Sequence, residues 1–298
     1  MRDNIKGVFV ITLTYVLWGV LPVYWKALAS VNPVEILAHR AIWSCVFSFS
    51  LLAAGRGISA FVSLFRSNRR ALVLIALSSV TITANWSIYI WGVNNGRILE
   101  CSLGYFINPL VSILFGLVVF KERLNKIQWL AIGIAAAGVF SEVAALGRLP
   151  FVSLSLAFSF GVYGLLKKLS AVESLVGFTI ETLFVTPFAL SWLVWRQYSG
   201  AAHFPYGAWT TSLLIGTGVI TSVPLIMFAW GVKRSPLTTV GLVQYASPIL
   251  MFLTGAVVYH EPVSLTRLLS FALTWISIII FTAESLWRAK NAPQRLTS

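Results

Sequence analysis

Ten apolar runs, each about as long as a bilayer is thick, fill this chain almost end to end. They lie at 7–26, 34–54, 71–93, 99–120, 127–146, 150–167, 174–195, 209–232, 237–258 and 264–287. A spanning helix needs about 20 mostly apolar residues, and inside hydrocarbon each backbone polar group must be bonded within the protein. The connections are short and leave no water-soluble domain. Only 10% of the residues are charged and the mean hydropathy is +0.84, against about 25% charged in a soluble domain. Such a chain could not cover its own surface in water. This argues against a soluble enzyme, a disordered chain and a nucleic-acid-binding domain, and it predicts an all-α integral membrane protein with ten transmembrane helices.

The N-terminus invites a different reading. Arg2 and Lys6 precede an apolar run, and Ala27-Leu28-Ala29 resembles a small-residue cleavage site, as in a signal peptide. The run is too long for that, and Trp18, Gly19, Pro22, Tyr24 and Trp25 interrupt it. It is expected to be a retained first helix.

Charge predicts the topology. Sixteen of the 22 Lys and Arg residues fall at the two termini and in the even-numbered connections; five, Lys26, Arg97, Arg148, Arg196 and Arg267, fall in the others. Arg40 lies inside a span. The excess of positive charge on cytoplasmic loops places both termini in the cytoplasm. The formal net charge of +13 is then an orientation signal facing anionic lipid, with no need of nucleic acid. In the second connection Ile58, Phe61, Val62 and Phe65 recur at helical spacing ahead of Arg66, Arg69 and Arg70, which suits a short helix on the inner membrane surface or a plain solvated loop.

The chain also repeats itself. Pro109 and Glu122 recur as Pro248 and Glu261, and Trp91-Gly92-Val93 as Trp230-Gly231-Val232, all 139 residues apart. Gly19 and Lys26 match Gly161 and Lys168 at 142. Residues 1–146 and 147–298 therefore read as two five-helix repeats of one membrane domain. Five is odd, so the second must cross the membrane in the opposite sense. Inverted repeats are a common build of secondary transporters, with the substrate site near the midplane between the halves.

Tyr15-Val16-Leu17-Trp18-Gly19-Val20-Leu21-Pro22 resembles the first-helix signature of the EamA branch of the drug/metabolite transporter superfamily. Several segments are similar to its RarD subfamily: residues 35–44, Asn85-Trp86, residues 91–95, residues 102–110, Gln128-Trp129-Leu130-Ala131, residues 156–160 and Ile180-Glu181-Thr182. The resemblance runs nearly the full chain and is most specific in the first half. It implies ten helices in two inverted five-helix repeats, a bacterial inner-membrane location, and transport of small metabolites or drugs.

Polar groups within spans are costly and point to function. Helical spacing gathers them into faces: Tyr15 and Trp18 in span one, His39 and Trp43 in span two, Asn85 and Tyr89 in span three, Tyr105 and Asn108 in span four, Gln244 and Tyr245 in span nine. Aromatic walls with a few amides suit a small amphipathic substrate. Arg40 either pairs with Glu35 or Glu181, receives a substrate carboxylate in a bidentate fork, or snorkels outward. Glu181 is a partner for Arg40 or His39, or a proton-coupling carboxylate. His39 reads as a pH switch or a packing donor. Asn85 and Asn108 read equally as cavity lining or interhelical bonds. Glu122 and Glu261 stand just before spans five and ten, where a helix N-terminus favours a carboxylate. Small residues in span five, Ala131, Ala135, Gly133 and Ala137, permit close helix contact, within the chain or in a homodimer.

No P-loop, HExxH or GxSxG is present, and Cys45 and Cys101 sit inside apolar runs, so no cofactor, metal or catalytic residue is expected. The partners expected are a small-molecule substrate, an amino-acid-like metabolite or an amphipathic drug, and membrane lipid. The rival readings are an intramembrane protein that binds or senses a ligand or lipid without moving it, and a lipid-modifying enzyme using His39 and Glu181 as acid and base.

Overall fold

A computed structural model describes residues 2–55, 57–95, 97–147, 149–200, 204–254, 257 and 265–291. Glu261, Arg56, Arg148 and Arg295 lie outside them. The described chain is helical, with no strand. The first half holds α1 (Arg2–Val20), α2 (Pro22–Lys26), α3 (Pro33–Ala54), α4 (Ile58–Ser67), α5 (Arg69–Asn94), α6 (Ile98–Val118) and α7 (Lys126–Leu146). The second holds α8 (Phe151–Leu169), α9 (Ser174–Tyr198), α10 (Ala208–Val232), α11 (Leu237–Val243), α12 (Ala246–Leu253) and α13 (Leu265–Asn291).

Among the described residues helix lies in each predicted run, and eight segments are long and apolar enough to cross a membrane. The other two apolar helices, Leu237–Leu250 and Leu268–Glu284, are shorter. The first of these carries a break at Gln244–Tyr245 that separates α11 from α12. Large apolar side chains stand on the outside, Phe140 at 74% and Phe188 at 77% exposure among them, as hydrocarbon rather than water as solvent requires.

Local sequence sets the boundaries. Asn32 caps α3 by accepting from the Val34 N–H at 2.9 Å, with Pro33 in the first turn where its missing N–H costs nothing. Asn125 and Gln128 form a reciprocal capping box on α7, and Gly147 ends that helix at φ 66°. Glu122 therefore does not serve span five, which it precedes in sequence. It caps α11 instead, accepting from the Leu237 N–H (2.7 Å), the Thr238 N–H (2.9 Å) and the Thr238 hydroxyl (2.7 Å). The second connection forms α4. Phe61 and Leu64 pack on a cluster around Leu52, Ile75 and Ile180, while Ile58, Val62 and Phe65 stay exposed.

Helices from the two halves alternate. α6 packs on α8 and α11, α3 on α9 and α10, α5 on α8 and α9, α1 on α10 and α12, and α7 on α13. The contacts come in matched pairs. A Cβ on Gly19 would meet Leu250 at 2.6 Å, and one on Gly161 would meet Val111 at 2.6 Å; Gly161 lies 142 residues after Gly19, and Leu250 lies 139 after Val111. Between α7 and α13, Ser277 donates to the Ala131 carbonyl (2.6 Å) and Ser270 to the Gly138 carbonyl (2.9 Å). Ser270 lies 139 residues after Ala131 and Ser277 139 after Gly138, and the two bonds fix the helices as antiparallel. Tyr245 donates to the carbonyl of Phe106, its own counterpart, at 3.1 Å.

Candidate functional site

A cavity of about 310 Å³ lies between the halves. α1 and α2 contribute Tyr15, Trp18, Pro22 and Trp25; α3 contributes Arg40; α5 contributes Asn85, Trp86 and Tyr89; α6 contributes Tyr105 and Asn108. The second half adds Leu156 and Phe160 from α8, Thr221 and Leu225 from α10, and Gln244, Ser247 and Pro248 beside the break between α11 and α12. Prolines free backbone carbonyls here, and irregular backbone at this depth is tolerated where it lines a cavity.

Of the eleven residues predicted to bind substrate, the structure brings eight to this cavity: Tyr15, Trp18, Arg40, Asn85, Tyr89, Tyr105, Asn108 and Gln244. His39, Trp43 and Tyr245 are elsewhere. The buried His39 accepts from the Trp43 indole N–H at 3.2 Å and packs on Phe204 at 4.6 Å. The backbone of Trp43 lies against Gly218. Tyr245 is sealed in the core. Trp25, Trp86, Thr221 and Phe160 were not singled out. For Trp25 the signal was there, since it continues the Tyr15, Trp18, Pro22 stripe one turn further.

Arg40 is the one charged side chain among the cavity's described lining. Its guanidinium lies over the rings of Trp25 (4.8 Å) and Trp86 (4.6 Å), and its Nε–H donates to Thr221 at 3.1 Å. No carboxylate lies within ion-pair distance of it among the described residues. Neither expected partner is available. Glu35 accepts from the Tyr206 hydroxyl at 3.1 Å, and burial followed by that carboxylate pushes the Tyr206 hydroxyl up to about 12. Glu181 pairs with Lys167 at 2.7 Å, both buried, and accepts from Ser78. It and Arg40 both border a void of about 20 Å³, room for about one water. Glu181 is thus a partner for a lysine counted from sequence as a loop charge; α8 runs on to Leu169 and draws Lys167 inside.

The polar lining divides into used and unused groups. Asn85 spends its amide donors on the Leu156 carbonyl and the Ser159 hydroxyl, both at 2.9 Å. The Asn108 Oδ1 and Gln244 Oε1 acceptors are buried without a hydrogen-bond partner.

The cavity lies toward the end of the bundle where α2 finishes and α3 begins. Below it, Tyr15, Trp18, Phe160, Tyr163 and Phe228 form an aromatic floor, with Tyr163 and Phe228 stacked at 5.8 Å. Beyond the floor the helix ends are tied together. Lys168 donates to the Ser235 carbonyl and stands 3.9 Å from Glu122. Lys233 donates to the Val172 carbonyl; burial, then the neighbouring Lys167, pull its amine down to about 8.

A family model described as "EamA-like transporter family" matches residues 5–141 and again residues 150–283. The chain belongs to the EamA-like transporter family. It is 43% identical over 286 residues to the uncharacterized transporter YojE of Bacillus subtilis, covering 95% of this chain and 96% of that one. It is 38% identical to the protein RarD of Escherichia coli over 97% and 98% of the two chains, and 39% identical to that of Salmonella typhi over 97% and 99%. These relatives place it in the RarD subfamily. A crystal structure only 16% identical in sequence, but with a TM-score of 0.71 over 94% of this chain and 98% of its own, shares the fold. The protein is accordingly a multi-pass membrane transporter and not an enzyme.

Proposed function

We propose that this chain is a secondary transporter that exports a small organic solute, an amino-acid-like metabolite or drug, across the bacterial inner membrane. Its two halves form inverted five-helix repeats that alternate access to the central cavity, with both termini in the cytoplasm. The observation that carries this reading is the Arg40 cavity, built from helices of both halves.

Three findings support the repeat: the family model matches twice in succession, the helix pairings map onto themselves at the 139–142 residue offset, and the two serine bonds from α13 to α7 join positions that interchange at the 139-residue offset. The break at Gln244–Tyr245 supports the site, since transporters bind at interrupted helices near the midplane. With the termini inside, the cavity lies toward the outer face, and the aromatic floor and the Lys168–Glu122 contact close the cytoplasmic side. In that state the protein would be outward-facing.

The test is uptake into proteoliposomes of labelled amino acids and chloramphenicol, with and without an imposed pH gradient. Saturable accumulation that vanishes with the gradient supports coupled transport. Saturable equilibration indifferent to the gradient supports uniport. Specific binding without flux, from folded protein, favours a sensor that moves nothing.

A further inference from the structure

We infer that the substrate is an organic monoanion: a carboxylate taken by Arg40, joined to an apolar or aromatic body. The inference rests on the proposed substrate role of the cavity and deepens it. It comes from comparing Arg40 with its own counterpart in the repeat. Glu181 lies 141 residues after Arg40, and Lys167 lies 142 after Trp25. In the second half this position is an internally neutralised ion pair at 2.7 Å. In the first half the same position is a cation stacked on an indole at 4.8 Å, with no anion beside it among the described residues.

An unpaired charge within a membrane protein is costly, so a counter-charge is expected. The structure leaves room for it. Thr221 takes only the Nε–H of Arg40, and the terminal amino groups keep the forked geometry that accepts a carboxylate in bidentate fashion. The guanidinium carbon lies within 5 Å of both the Trp25 and Trp86 ring centres, which restrains the fork before a ligand arrives.

The rest of the cavity narrows the class. Its described lining has no Asp or Glu to balance a second positive charge. A zwitterion would leave the site with the net charge it started with; a monoanion neutralises it. The aromatic walls suit a ring or branched apolar body. A volume of about 310 Å³ stands at the small end of ordinary ligand sites.

The experiment is equilibrium binding to purified full-length protein in detergent, read by tryptophan fluorescence, which Trp25 and Trp86 make sensitive to this site. Three probes share one benzyl group: phenyllactate (anion with a hydroxyl), phenylalanine (zwitterion) and phenylalaninol (cation). Phenyllactate should bind about tenfold tighter than phenylalanine or better, with phenylalaninol weakest. Arg40→Gln should abolish the preference. Arg40→Lys keeps the charge but not the fork, and should keep the order with weaker binding, which guards against a glutamine variant that fails to fold. Phenylalanine binding as tightly as phenyllactate, no binding of phenyllactate to folded protein, or a preference that survives in folded Arg40→Gln overturns the inference. Because flux is not read, binding in this order without transport would count against the transporter reading alone.

Discussion

Breaking the Lys167–Glu181 pair one side at a time should be far more damaging than removing it whole. At 2.7 Å two unit charges attract by about 6 kcal/mol at an effective dielectric constant of 20. Desolvating each ion costs several kcal/mol in return. The pair therefore contributes little net stability, but either charge left alone retains its desolvation penalty. Glu181→Gln or Lys167→Met alone should cost about 3–5 kcal/mol. Lys167→Met with Glu181→Gln together should recover most of that, because the amide can still accept from Ser78 and the methionine fills the lysine's stem. The assay is a double-mutant cycle on reversible unfolding in mixed micelles, at fixed pH and detergent, with a coupling of about 3 kcal/mol expected. Single variants within about 0.5 kcal/mol of the parent, the range of ordinary surface changes, would refute the buried pair. So would additive losses in the double variant.

Further outcomes follow from other contacts. Gly218→Ala places a methyl 2.5 Å from the Trp43 backbone and should cost about 1–3 kcal/mol, whereas Gly133→Ala meets nothing within 4 Å and should be neutral or slightly stabilising; thermal unfolding separates them. Glu122→Ala removes the cap of α11 and the carboxylate facing Lys168, so a cysteine at the buried Ser235 should react faster with a maleimide from the side proposed to be cytoplasmic; an unchanged rate denies Glu122 a part in that closure. Lys233 has a folded pKa of about 8, below its unfolded value near 10.4. The unfolded state thus binds more protons between those values, and stability should rise with pH across that window. Melting temperature should climb more for the parent than for Lys233→Met between pH 7 and 9, and an equal change in both would remove the assignment.

Much of this arrangement was legible in the sequence, for identifiable reasons. Hydrocarbon favours one apolar helix per crossing, so run length located the eight long spans to within a few residues, while the ninth run, read as one helix, is broken between α11 and α12. Spacing placed Tyr15 and Trp18, and Asn85 and Tyr89, on cavity faces because α1 and α5 are regular there. It failed at Tyr245, where the break after α11 turns the next side chain into the core while Gln244 keeps its place. It failed at His39 too: neighbouring helical residues point about 100° apart, and Arg40 faces the cavity where His39 faces Phe204. A membrane helix is apolar on its lipid face and its core face alike, so hydropathy cannot tell which side holds a void. The Lys167–Glu181 pair was hidden for a different reason. A lysine at the end of an apolar run looks like a loop charge until packing shows it turned inward.

The central claim is that Arg40 receives the transported solute in a cavity shared by both halves. Counterflow in proteoliposomes addresses it directly: vesicles loaded with unlabelled phenyllactate, given a trace of labelled phenyllactate outside, report transport without requiring a knowledge of the driving force. The parent protein should show a transient overshoot of label, Arg40→Lys a reduced one, and folded Arg40→Gln none. Equal overshoot in the parent and Arg40→Gln, or none from folded parent protein, would contradict the claim.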